Sequence, residues 1–220
     1  AEELPAAIEA QFRVRRDPTQ RAIYGKSSGG YGALVQGMRH AAHWGAIACH
    51  SGDMGFEWVC MREFPNVLDA LAREDGDVER FVRRFAENPK VRGDHLHVMM
   101  MLAMAASYAP DLAAPLGVRL PVDPYTCELD PEQWARWLAH DPVRMVDDAH
   151  CRENLASLRG LFIDCGRRDQ YLLHYGARAL VRKLDAHGIA HVYDEFDDDH
   201  SSIDYRLDVS LPWLYSTLTS

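Results

Sequence analysis

The sequence has no C-x-x-C pair, no cluster of lysine and arginine, and no apolar run of bilayer length. Each absence excludes a class of protein. The cysteines (Cys49, Cys60, Cys127, Cys151 and Cys165) are scattered and odd in number. That pattern fits neither a zinc site nor a disulfide framework and suits a reducing compartment. Lys and Arg total 24 against 33 Asp and Glu, a formal charge of −9. An acidic surface repels phosphate backbones, so nucleic acid is not expected as a partner. The most apolar stretch, Val98 to Ala106, falls short of the ~18 residues a membrane span requires and suits a buried helix. No membrane partner is expected. Nothing at the N-terminus resembles a signal peptide, and cytoplasm is the expected compartment; the chain reads as starting inside a domain, so any leader would lie upstream. His95-x-His97 looks like a metal pair, but side chains two apart on a helix point in different directions. No metal and no cofactor is expected.

What remains is the composition of one globular domain. Of 220 residues, 47% are hydrophobic and 26% charged, enough for one sizeable core. Leu4, Ile8 and Phe12 recur at helical spacing after Pro5, and Asp17-Pro18 ends that pattern. Arg21-Ala22-Ile23-Tyr24 reads as a short strand running into a glycine-rich turn at Gly25, with a helix over Gly29 to His43 and a second strand over Gly45 to Cys49. Residues 54 to about 157 differ in character. They read as helices at Asp77–Phe85, at the methionine-rich His95–Ala106, and from Asp130-Pro131 onward, with a proline-rich loop over Pro110–Pro124. Alternation returns with a strand at Gly160–Asp164, a helix over Gly176–His187 closed by Gly188, a strand from His191, and a last helix over roughly Tyr205–Leu218. Strands separated by helices of a dozen residues indicate a parallel sheet with crossover helices. The expected fold is therefore α/β, one domain over 1–220, with a helical insertion at about 54–157 that forms a lid or pocket wall. Met99, Met100, Met101 and Met104 either line an acyl pocket there or belong to plain core.

The sharpest chemical signal is Gly25-Lys26-Ser27-Ser28-Gly29, a G-x-S-x-G between strand and helix. A strand that turns sharply into a helix holds its central serine in strained geometry with the hydroxyl exposed, and the flanking positions must be small. Only Ser27 has glycine two residues on either side, which makes it the candidate nucleophile. A serine hydroxyl needs a base to take its proton. Among eleven histidines, His200 stands out, in the loop Asp197-Asp198-Asp199-His200-Ser201-Ser202 just past a strand. The neighbouring carboxylates are expected to favour its charged form. The third member should be a carboxylate near the end of an intervening strand. Asp164 ends that strand and Asp169 lies in the loop beyond Gly166. Asp169 has the freedom to reach a histidine loop and is preferred over Asp164. The order Ser, Asp, His is that of α/β-hydrolases.

Taken together, Gly25-Lys26-Ser27-Ser28-Gly29-Gly30-Tyr31-Gly32-Ala33, Asp164-Cys165-Gly166-Arg167-Arg168-Asp169 and Asp198-Asp199-His200-Ser201-Ser202 resemble the "Putative esterase" family of α/β-hydrolases. That family includes esterase D (S-formylglutathione hydrolase), enterochelin esterase-like proteins, feruloyl esterases and mycolyltransferases. The resemblance implies acyl transfer from an ester to water through an acyl-serine, with Ser27 as nucleophile, Asp169 as acid and His200 as base. It also implies an oxyanion-hole donor in the backbone N–H of Ser28. Lys26 stands where the family more often has His or Leu, a departure that bears on substrate preference.

The family also carries several strands before the nucleophile strand, one of which precedes the loop that supplies the second oxyanion donor. Here only residues 1–20 precede the Arg21–Tyr24 strand. The sequence is therefore expected to be a C-terminal portion of such a domain, or to receive the missing strands from another polypeptide, with homo-oligomers pairing through 21–24 as a further expectation. The expected activity is hydrolysis of small-molecule carboxylic esters. The rivals are an acyltransferase on the same scaffold and a non-catalytic binding or assembly module with an incomplete oxyanion hole.

Overall fold

In the computed structural model, which describes residues 3–90 and 92–220, the chain forms a four-stranded parallel sheet in the order β1-β2-β3-β4. Helix α1 (Glu3–Gln11) precedes β1 (Ala22–Lys26), α2 (Ser28–His40) and β2 (Ala46–His50). A run of helices follows: α3 (Phe56–Val59), α4 (Phe64–Ala72), α5 (Val78–Glu87), α6 (Gly93–Tyr108) and α7 (Pro131–Leu138). Then come α8 (Pro142–Met145), α9 (Ala149–Ser157), β3 (Gly160–Gly166), α10 (Leu173–Ala186), β4 (Val192–Phe196) and α11 (Leu207–Thr219). The architecture is the α/β one expected, a parallel sheet whose strands are joined by helices. No helix among the described residues is long and apolar enough to cross a membrane.

The chain divides into two compact units, Ala1–Gly55 with Asp141–Ser220, and Phe56–His140. In the first, helices pack on the sheet and β2 is buried along its whole length. A continuous Ala-Ile-Ala-Cys run is what a strand covered on both faces requires. On one face Ala46, Ala48, Phe162 and Leu214 form a core with Ala22, Trp213 and Leu218 against it. In the second unit Phe64 stands edge-on to both Trp134 and Trp137, each at 5.8 Å. Met101 and Met104 are buried within α6, while Met99 and Met100 are half-buried. Asp130 caps α7 by accepting from the Glu132 and Gln133 N–H groups, and Pro131 occupies the first turn.

The boundaries differ from the sequence reading in instructive places. Residues 141–157, expected within the insertion, group with the sheet unit, because α9 packs along α2. Helix α2 begins at Ser28, directly after the turn, and gives way to a 3-10 turn at Ala41–His43. His50 is the last residue of β2, one position beyond the strand end expected at Cys49. Helices α3, α4, α8 and α9 escaped the periodicity: α3 and α8 are four residues long, and α9 buries only Cys151 and Leu155, too few apolar positions to show a period.

One close approach in the sheet unit yields a stability test. A Cβ at Gly176, in α10, would fall 2.1 Å from the Met54 carbonyl oxygen, and backbone cannot swing aside as a long side chain can. Gly176→Ala is expected to lose roughly 1–3 kcal/mol, read as a lower denaturant midpoint with an unchanged slope.

Candidate active site

Parallel α/β sheets bind ligands where the strands end, because loops from several strands converge there. In this chain Lys26, His50, Asp164 and Asp194 are Cα partners in one row across all four strands. Beyond that row lie Ser27 after β1, Ser51-Gly52-Asp53 after β2, Asp169 after β3 and His200 after β4. The sequence-derived candidates thus share one edge of the sheet, within one compact unit.

Ser27 has φ 56° and ψ −126°, a conformation L residues rarely adopt. Its neighbours keep it there. The Ser27 N–H donates to the His50 carbonyl at 2.9 Å, and the Ser27 carbonyl accepts from Tyr31 N–H at 2.9 Å. A Cβ at Gly25 would lie 2.4 Å from the Gly29 carbonyl carbon, and one at Gly30 would lie 3.0 Å from both the Gly25 and His50 oxygens. Gly29 itself has open space where a Cβ would go. Of the two glycines in the pentapeptide, Gly25 is the one sterics demand; at Gly29 it is the backbone that must be near. Ser28 is the first residue of α2, so its N–H is among the helix amides that have no intrahelical acceptor.

His200 is held from three sides. Its Nδ1 lies 2.8 Å from Asp169 Oδ2, its N–H donates to Gln170 Oε1 at 3.0 Å, and the Tyr171 ring stands edge-on at 4.9 Å. Asp169 is buried, and its other oxygen accepts the Tyr171 N–H at 2.9 Å. The Cys165 thiol points at Asp169 Oδ2 from 3.9 Å, and burial together with that carboxylate raises the thiol's pKa to about 12. A proton on Nδ1, directed at Asp169, leaves Nε2 free to accept one. The acidic run braces this loop: Asp197 pairs with Arg168, Asp198 accepts from Tyr205 at 2.9 Å, and Asp199 accepts from Ser201 N–H at 2.6 Å.

Asp164, the other candidate acid, is directed elsewhere. It meets His50 Nδ1 at 2.8 Å and accepts from Arg206 Nε at 2.9 Å. His50 and Ser210, which the sequence reading did not single out, complete a separate buried Ser-His-Asp chain, with His50 Nε2 at 2.9 Å from Ser210 Oγ.

Asp53 was also missed. It is buried, its carboxylate accepts from the Ser28 hydroxyl, and it feels both His200 and Asp169. Burial pushes its carboxyl above the ordinary range, against the opposing pull of Ser28 and His200. Asp53 therefore relates the loop of Ser27-Ser28 to the loop of His200. The only sequence signal was its place directly after a buried strand. Among the described residues no cluster of His, Cys, Asp and Glu is arranged to hold a metal.

The chain matches the family model described as "Esterase: Putative esterase" over residues 1–210. Solved structures similar in fold include a ferulic acid esterase (19% identity, TM-score 0.54, covering 99% of this chain and 59% of that one). Another is S-formylglutathione hydrolase FrmB from Staphylococcus aureus (13%, 0.56, 97% and 61%). A third is an S-formylglutathione hydrolase from Agrobacterium tumefaciens (18%, 0.52, 99% and 56%). The chain thus spans between 56% and 61% of the length of these three structures. None of the curated proteins matches it in sequence.

A pH test follows from Asp53. Burial raises its carboxyl above the ordinary range, so the folded state holds that proton to higher pH than the unfolded chain does, and stability is lost as pH rises from the ordinary carboxylate range through the raised value. Asp53→Asn carries no charge to bury, so its denaturant midpoint is expected to fall less over that pH range than the wild-type midpoint does. Parallel pH profiles for the two proteins contradict this reading of Asp53.

Proposed function

Because the chain belongs to the "Putative esterase" family, and because Asp169 orients His200 on the sheet edge that carries Ser27, we propose that it is a serine hydrolase cleaving carboxylic esters through an acyl-serine. The observation that carries the reading is the Ser27 backbone. A non-glycine residue at φ 56° and ψ −126°, at a strand-to-helix turn, is strained by about 1–3 kcal/mol. Such strain persists where a function uses it, and here it sets the hydroxyl at the end of the sheet.

In the proposed reaction Ser27 Oγ attacks the ester carbonyl while His200 Nε2 takes its proton. The carbonyl oxygen becomes an oxyanion, and the Ser28 N–H, at the α2 N-terminus, donates to it. His200 then passes its proton to the departing alkoxide, leaving an acyl-serine. Water, deprotonated by His200, attacks the acyl carbon; the bond from that carbon to Ser27 Oγ then breaks, Oγ takes the proton back from His200, and the acid leaves. Asp169 holds the imidazole in the required tautomer throughout and stabilises it when charged. The route needs no cofactor.

Ser27→Ala is expected to abolish covalent labelling by a fluorophosphonate while leaving the circular dichroism spectrum unchanged. Asp169→Asn is expected to lower turnover of a p-nitrophenyl ester by about ten-thousandfold, the loss seen when a triad acid no longer selects the tautomer. Labelling that survives in Ser27→Ala refutes the nucleophile assignment.

The reading extends to partners. Among the described residues β1 pairs only with β2, so its outer edge offers unpaired backbone groups. We propose that a further strand, from family sequence upstream or from a second copy, completes the sheet there and brings the second oxyanion donor. A chain extended with upstream family strands is expected to turn over simple esters on the order of a hundred- to a thousandfold faster and to be monomeric, whereas the 220-residue chain self-associates. Equal rates and a monomeric short chain contradict this proposal.

A further inference from the structure

One row back along the strands from the proposed triad lies a chain of polar side chains that no step of ester hydrolysis uses. His50, Asp164 and Asp194 are register partners across β2, β3 and β4. Partners in register project to the same face of a sheet, and here that face meets Arg206 and Ser210, which follow His200 in the chain. Ser210 Oγ lies 2.9 Å from His50 Nε2, and His50 Nδ1 lies 2.8 Å from Asp164 Oδ1. Asp164 Oδ2 accepts from Arg206 Nε at 2.9 Å, and Arg206 Nη2 donates to Asp194.

The first three members repeat the order and spacing of a hydrolytic triad, and burial decides against that role. Ser210 is 0% exposed, His50 2% and Asp164 1%, so no ester reaches the hydroxyl. Nor is the chain a cheap way to stabilise a core. Burying an ion pair costs as much as it returns unless every partner is satisfied, and apolar side chains of equal volume often do as well. Burial opposes the charge on Arg206, yet the carboxylates of Asp164 and Asp194 outweigh it and hold the guanidinium above its ordinary pKa. The ionic link is therefore held firmly.

What the chain touches suggests its use. The His50 carbonyl receives the Ser27 N–H at 2.9 Å, and the Asp164 carbonyl receives the Ser51 N–H at 2.8 Å. Clamping the His50 side chain from both ring nitrogens fixes the carbonyl that holds the Ser27 turn. The far end of the same chain, through Arg206 and Ser210, fixes the segment that leads away from His200. Resting on the esterase reading, we propose that Ser210, His50, Asp164 and Arg206 are positioning residues for the triad: they hold the backbone that bears the nucleophile in line with the loop that bears the base. They act on turnover and leave substrate binding alone.

The test uses the 220-residue chain with Ser210→Ala, Ser210→Thr and Asp194→Asn. The readouts are kcat and KM for a p-nitrophenyl ester, the rate of fluorophosphonate labelling at Ser27, and thermal melting. Ser210→Ala removes one hydrogen bond without stranding a charge. Since small misplacements of reacting groups cost up to about a hundredfold, it is expected to lower kcat by about tenfold with KM unchanged. Labelling should slow by the same factor, because it uses the same nucleophile and base. Ser210→Thr keeps the hydroxyl and is expected to recover most of the rate. Should Ser210→Ala not fold, Asp194→Asn, at the half-exposed end of the chain, is expected to slow labelling a few-fold. Two results overturn the inference: folded variants that melt lower yet match the wild-type kcat and labelling rate, or variants in which KM rises and kcat does not fall. A wild-type protein that is not labelled at Ser27 sinks the esterase reading first, and this inference with it. A wild type that labels normally beside variants that match it sinks the inference alone.

Discussion

The structure of the sheet edge depends on one backbone conformation, the positive φ of Ser27. A residue so placed relaxes unless its surroundings leave it no alternative. Here close backbone packing closes the alternatives. A Cβ at Gly25 would strike the Gly29 backbone, and one at Gly30 would press on the carbonyls of Gly25 and His50. The Ser27 N–H and carbonyl are each spent on a hydrogen bond, one to β2 and one into α2. Any change that lengthens the His50 contact frees the turn to relax, which is why β2 matters to the serine that follows β1.

The remaining strand ends are laced together in the same manner. Ser51 N–H reaches the Asp164 carbonyl, Arg167 N–H the Phe196 carbonyl, and Arg168 N–H the Asp198 carbonyl. A Cβ at Gly166 would strike the Asp198 oxygen at 2.5 Å, so the loop with Asp169 and the loop with His200 run in contact. Sites held within a fraction of an ångström need this kind of support beneath the side chains that react. In this chain backbone pairing supplies it for the loops, and the buried chain from Ser210 to Asp194 supplies it one row below.

The parts of this arrangement that could be read from sequence are those with short-range signatures. Gly25-x-Ser27-x-Gly29 announces its own turn, and Asp130-Pro131 its own helix start. Asp169 over Asp164 was decided by reach alone, and the His200 contact lies with Asp169. The missed parts are long-range. His50 and Ser210 are 160 positions apart, and nothing local to either suggests the other. Asp53 reads as an ordinary strand-end acid until Ser28 and His200 are placed beside it. Helix α9 was assigned to the insertion because a weakly apolar helix carries no sign of its partner; its contact with α2 is what returns it to the sheet unit.

Two buried carboxylates near one imidazole raise the question of which is the acid, and their hydrogen bonds divide the roles. Asp169 is reached by a backbone N–H, by the His200 ring and by the Cys165 thiol, which together fix both of its oxygens in one orientation. Asp53 is reached by the Ser28 hydroxyl, and burial has pushed its carboxyl upward. A carboxyl inclined to keep its proton adds little charge to the site, and two like charges near each other would each disfavour the other. Environments that push neighbouring acids apart are how one site assigns different duties to chemically equal groups. In the proposed reaction Asp169 orients the base on that division, while Asp53 secures Ser28, whose N–H faces the developing oxyanion.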